Sequence, residues 1–129
     1  MSIQPDTARI AEQVRGALDS ADPADFAALL HPHVTWGAPG DPSPPCQNRD
    51  QVLAWYRHGA ADGRRAHVLD VATIGDKILI KMTVTPRPGH DSGQDHLRWQ
   101  VLTVSNGLVV DIRGYDDAAS ARAATGLPG

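Results

Sequence analysis

The sequence predicts an α+β fold, with N-terminal helices covering one face of a curled antiparallel sheet. Three observations predict it. Apolar residues in the first half recur at helical spacing, those in the second half alternate, and the dipeptides Gly75-Asp76 and Asn106-Gly107 join the alternating runs at tight turns. The 129 residues, with a net charge of -3, suffice for one domain with its own core, expected from about Thr7 to Ala124. Only 5% of the residues are aromatic, so that core is mainly aliphatic.

Each element has its own signal. After Asp6-Thr7, Ile10, Val14, Ala17 and Leu18 mark one face of a first helix. Asp22-Pro23 opens a short second helix, with Asp as N-cap and Pro at the first helical position. Phe26, Leu29 and Leu30 form its buried stripe, and His31-Pro32 ends it. Gly37 to Cys46 is too rich in proline for a helix or a central strand. A third helix starts at Asn48, where Asn48 and Gln51 have capping-box spacing, and ends in the Gly59–Gly63 region. Strands follow over Ala66–Ile74, Lys77–Thr85, His96–Ser105 and Leu108–Tyr115, with a loop from Pro86 to Asp95. Asp117 caps a terminal helix, Ala118–Thr125, which Gly126 stops.

Composition excludes several classes. Mean hydropathy is -0.31, and no apolar run approaches the ~18 residues of a membrane span. The N-terminus lacks a basic flank followed by an apolar stretch, which points to a cytoplasmic protein. The single cysteine, Cys46, excludes an internal disulfide and a Cys-based zinc site. A mildly acidic balance without a basic cluster argues against nucleic acid as a partner.

The phrases ADPADFAALLHPHVTW, CQNRDQVLAWY and SNGLVVDIRGYDD resemble signatures of the nuclear-transport-factor-2-like superfamily, and more narrowly its SnoaL-like branch. The resemblance runs from about Thr7 to Ala124. It implies a cone-shaped α+β barrel with an internal cavity. It does not imply one chemistry, because the superfamily holds polyketide cyclases, ketosteroid isomerases, limonene-epoxide hydrolases, dehydratases and non-catalytic modules. The five polar positions of the epoxide hydrolases fall on Trp36, Ala38, Met82, Val84 and Gly114, and none of the family's polar residues survives. No acid stands near Trp36-Gly37, where ketosteroid isomerases keep their base. The acid/base Asp of the cyclases falls near Gly114 and is missing too.

Hairpin register decides which side chains line the cone. With a two-residue turn at Asn106-Gly107, Gly114 lies opposite Trp99, and Leu97, Trp99 and Val101 point inward. With a bulged Ser105-Asn106-Gly107 loop, Gly114 lies opposite Arg98, and His96, Arg98 and Gln100 point inward. Burial favours the first register and the resemblance favours the second. The second leaves Trp99 and Tyr115 on an apolar outer face and predicts a homodimer there, with Arg113 stacked beside Trp99. Ile78, Ile80, Met82 and Val84 form the inner face of their strand. Val71, Leu69 and His67 are expected beside them, and Val110, Ile112, Gly114 and Asp116 on the last strand.

The candidate catalytic residues are Asp116, His67 and Arg98. Asp116 or His67 moves a proton, while Arg98 and Gln100 stabilise a developing oxyanion. An inward Arg98 needs an acid or an anionic ligand, and Asp116 is its nearest internal partner. Substrate-binding candidates are Trp36, Tyr56, Met82, Val84, His96, Gln100, Ile112 and Gly114. Each has a plainer alternative: backbone bonding for His67, packing for Trp36 and Tyr56, helix capping for Asp117. Cys46 precedes a helix, where a thiolate is mildly favoured, but no base stands near it. His31-x-His33 and the His90, Asp91, Asp95, His96 group lack the spacing of a closed metal site. The expectation is a SnoaL-like enzyme without cofactor or metal, acting on a small, mostly apolar, ring-containing ligand. The alternative is a non-catalytic binding or dimerisation module of the same fold.

Overall fold

The computed structural model describes residues 5–20, 23–38, 41–61, 66–84 and 96–126. In order they form α1 (Pro5–Ser20), α2 (Pro23–Ala27), β1 (Leu30–Gly37), α3 (Arg49–Ala61), β2 (Ala66–Ile74), β3 (Lys77–Val84), β4 (His96–Ser105), β5 (Leu108–Tyr115) and α4 (Ala118–Thr125). The strands make one five-stranded sheet in the order β1-β5-β4-β3-β2, antiparallel except where β1 runs parallel to β5. Helix α1 packs on β2 at one edge and α3 on β1 at the other, yet both share one core with the central strands. A sheet curled around its helices allows that. The α+β expectation holds.

The core is aliphatic, as the composition demands. Ile10, Val14 and Leu18 of α1, Val52 and Leu53 of α3, and Ile78, Ile80, Leu102 and Ile112 of the sheet are buried together. Phe26 joins them and lies 5.4 Å from the Tyr56 ring.

The helix signals act through identifiable bonds. Asn48 Oδ1 accepts the Gln51 amide at 2.9 Å, and Gln51 Oε1 reaches back to the Gln47 amide at 2.7 Å. This is a capping box with its return bond one residue early. Asp117 Oδ1 accepts the Ser120 amide at 2.7 Å, and Gly126 closes α4 at φ 85°. The N-cap Asp22 and the Pro86–Asp95 loop lie outside the described residues.

Four corrections concern strands. First, His31-Pro32 does not end a helix: α2 stops at Ala27, and Leu30–Gly37 is an edge strand. Pro32 is tolerated because an edge strand has a side that needs no donor. Its neighbour's N–H is tied down locally, since the His33 amide donates to His31 Nδ1 at 3.0 Å. Second, Gly114 lies opposite Gln100, so neither anticipated register is observed. The turn has two residues, with Asn106 at φ 53° and Gly107 at φ 80°, but β5 then bulges at Val110 between the Val104–Val109 and Thr103–Asp111 pairs.

Third, β2 bulges at Leu69, between the Val68–Met82 and Asp70–Lys81 pairs. One extra residue reverses the alternation. His67 therefore sits opposite Thr83 on the outer face and is exposed, and Leu69 is exposed as well. Only Val71 of the three expected residues points inward, opposite Ile80. Fourth, Arg113 is committed elsewhere than to Trp99. Its Nε donates to both Asp111 carboxylate oxygens, at 3.1 and 3.2 Å, and its Nη1 to the Ala38 and Asp41 carbonyls, at 2.8 and 3.0 Å. Thr35 Oγ1 donates to Asp111 Oδ1 at 2.6 Å and completes a clamp on the proline-rich loop.

Candidate functional site

Register alone arranges the inner face in rungs. Trp36, Ile112, Leu102, Ile78 and Thr73 form one; Gly114, Gln100, Ile80 and Val71 the next; Arg98, Met82 and Val68 a third; Val84 lies beyond, its backbone paired with His96 and Ala66. Ile78, Leu102 and Ile112 are fully buried, so the first rung is packed core. Polar groups enter at the second rung with Gln100 and at the third with Arg98. Along β4 and β5 the inner face thus changes from aliphatic packing to a partly open, polar end, while Ile80 and Met82 of β3 stay buried.

At that end Arg98 Nε lies 3.3 Å from Asp116 Oδ1, with the side chains 47% and 84% exposed. Gly114 lies beside this pair: a Cβ there would stand 3.5 Å from Arg98 Nη2, an ordinary contact. Asp116 follows β5 directly, placed by the turn into α4 that Asp117 caps.

Trp36 borders this region from β1. It is opposite Ile112, partly buried, and packed on the core, as is Tyr56 from α3. Two backbone bonds hold Trp36 to Cys46, at 3.0 and 3.3 Å. The Cβ-free Gly37 lets Pro44 pack directly on the strand, since an added Cβ would stand 2.6 Å from Pro44 Cβ.

Of the expected site residues, the fold brings Arg98, Asp116, Gln100, Gly114 and Met82 together, with Val84 and Trp36 beside them, while Tyr56 packs on the core against Phe26. His96 faces Val84 in the backbone register. Ile112 belongs to the sealed core and His67 to the other face. Trp55 is 57% exposed on α3. The residues that sequence reasoning missed are Thr35 and Asp111, which with Arg113 fix the loop beside Gly114. Alternation placed Asp111 and Arg113 on one face, but nothing local announced the carbonyls they would meet.

Cys46 is buried, and desolvation raises its pKa, the opposite of an activated thiolate. Its Sγ points at the Gln51 carbonyl, 3.7 Å away. The His31 and His33 rings lie 5.7 Å apart, but among the described residues no three metal-binding side chains converge. Among the described residues no helix is long and apolar enough to cross a membrane.

Comparison with known proteins agrees with this geometry. No curated protein matches the sequence. Among solved structures, Bal32a from a soil-derived mobile gene cassette is 23% identical with a TM-score of 0.69, over 85% of this chain and 88% of its own. An LEH-like epoxide hydrolase of M. tuberculosis is 17% identical with a TM-score of 0.68, over 87% and 83%. An NTF2-like protein of Mesorhizobium loti is 17% identical with a TM-score of 0.69, over 88% and 92%. These likenesses establish the fold. The SnoaL-like domain family matches residues 10–112, most of the chain and every strand up to Ile112, so the chain belongs to the SnoaL-like family within the NTF2-like fold.

Proposed function

We propose that this SnoaL-like domain binds a small, mostly apolar, ring-containing molecule at the open end of its inner sheet face. There it promotes a cofactor-free proton transfer, in a cyclisation, isomerisation or dehydration. The observation that carries the reading is the change along the inner face, from sealed aliphatic rungs to Gln100, Gly114 and the Arg98–Asp116 pair. An apolar surface with a few convergent polar groups is the usual form of a small-molecule site. Asp116 accepts the proton from one atom of the ligand and returns it to another. Arg98 and Gln100 donate to the oxygen on which charge develops. Trp36, Val84 and Met82 contact the ring.

A second reading has an observation in its favour. Asp116 is 84% exposed and His67 lies on the outer face, so among the described residues no enclosed acid or base stands on the inner one. That favours a module that binds without reacting. A thermal-shift screen of steroids, polyketides and terpenoids identifies ligands, and product analysis then separates the readings. For an enzyme, Asp116→Asn lowers turnover by roughly 10²-fold or more while binding persists. Recovery of every bound ligand unchanged selects the binding module.

The partly apolar outer face supports pairing of two copies. Leu97 is 42% exposed there, beside the half-buried Trp99 and its partner Tyr115. Helix α4 packs across β3, β4 and β5, and outer-face Val101 is buried with Ala121 apart from the main core, which leaves Leu97 and Trp99 as the centre of the contact.

A further inference from the structure

Two arginines on neighbouring strands are used in opposite ways. Arg113 is held at Nε and Nη1 by Asp111 and two loop carbonyls. Arg98 is not. Among the described residues its one polar contact is the 3.3 Å approach of Nε to Asp116, and Nη1 and Nη2 meet no acceptor. A guanidinium carries five N–H donors in a planar fork that matches a carboxylate. Nη2 lies beside Gly114, 3.5 Å from where a Cβ would stand. Gln100 is opposite Gly114, and its amide bonds to no described residue. On the adjacent strand the half-buried Val84 supplies apolar surface beside the buried Ile80 and Met82.

We propose that the site selects a ring-containing carboxylate, held by the Nη1/Nη2 fork of Arg98 in exchange for Asp116. The inference rests on the ligand-site reading above and deepens it by naming the ligand's class. The exchange is favourable on physical grounds. Exposed ion pairs of the Arg98–Asp116 kind are weak in water, whereas a bidentate carboxylate makes two charge-assisted bonds. Displaced Asp116 stays solvated, so no charge is buried unpaired. A single arginine beside an aspartate suits one negative charge better than a doubly charged phosphate. The exchange also frees Asp116, the group to which proton transfer is assigned.

The test uses 2-naphthoate and 2-naphthamide, one ring with a charged and a neutral head, titrated calorimetrically into the full chain. Naphthoate is expected to bind roughly tenfold more tightly than the amide. Arg98→Gln removes that preference and leaves the amide unchanged. Asp116→Asn removes the internal competitor and tightens naphthoate about threefold. Equal affinity for both probes, or naphthoate binding that survives Arg98→Gln, overturns the carboxylate class while leaving a ring-binding site standing. Binding of neither probe overturns the site itself and the inference with it. If Arg98→Gln does not fold, Asp116→Asn decides: unchanged or weaker naphthoate binding refutes the exchange.

Discussion

Gly37 matters for an atom it lacks. Its φ is ordinary, so the constraint is steric: any Cβ would collide with Pro44 at 2.6 Å. Gly37→Ala should force the loop off the strand and destabilise the fold by about 1–3 kcal/mol. Thermal unfolding would register this as a fall of several degrees. Cys46 is the converse case, a reactive group silenced by its surroundings. Its raised pKa means the native state keeps a proton that the unfolded chain has lost. The stability this contributes is fully present below the thiol's ordinary value of 9.0 and is lost as pH rises through the higher folded value. An aromatic disulfide reagent should therefore label native Cys46 at least roughly tenfold more slowly than the denatured chain at neutral pH.

Elements show how far one sequence carries its own fold. The hairpins were legible because Gly75-Asp76 and Asn106-Gly107 interrupt clean alternation with residues suited to positive φ. Helix α4 was legible because Asp117 and Gly126 mark both ends. Bulges at Leu69 and Val110 were not, because an inserted residue carries no compositional mark and its position follows from sheet curvature. Those two residues alone put His67 on the wrong face and Gly114 opposite the wrong partner. Strand β1 was hidden by its parallel pairing and by Pro32, which suits a loop equally well.

The cap and the clamp give tests at this scale. Two bonds to Ser120 hold the Asp117 carboxyl below its ordinary 3.8. Its capping contribution is thus complete above that value and lost as pH falls through the lower folded one. Amide exchange in α4 should accelerate in acid, and Asp117→Ala should reproduce the acid behaviour at neutral pH. The Asp111–Arg113 pair is only 27% and 20% exposed and is hydrogen-bonded to Thr35 and the Ala38 and Asp41 carbonyls. Asp111→Ala should cost about 2 kcal/mol in denaturant unfolding and accelerate exchange at the Trp36 and Cys46 amides.

For the whole molecule, the two sheet faces divide the work. The inner face carries the core and the proposed ligand site; the outer one carries the clamp, α4 and an apolar strip around Leu97 and Trp99. Sedimentation velocity is expected to show a dimer at micromolar concentration, and Leu97→Asp a monomer with an unchanged melting profile. A monomeric wild type refutes the pairing.

The free border of β1 limits what kind of assembly is open to the chain. Pro32 has no N–H to offer there, the His33 N–H is taken by a neighbouring imidazole, and Trp36 is already bridged to Cys46. An incoming strand would find its template interrupted at each of these points. Pairing of two copies through the outer face would therefore not extend into a fibril across the β1 border.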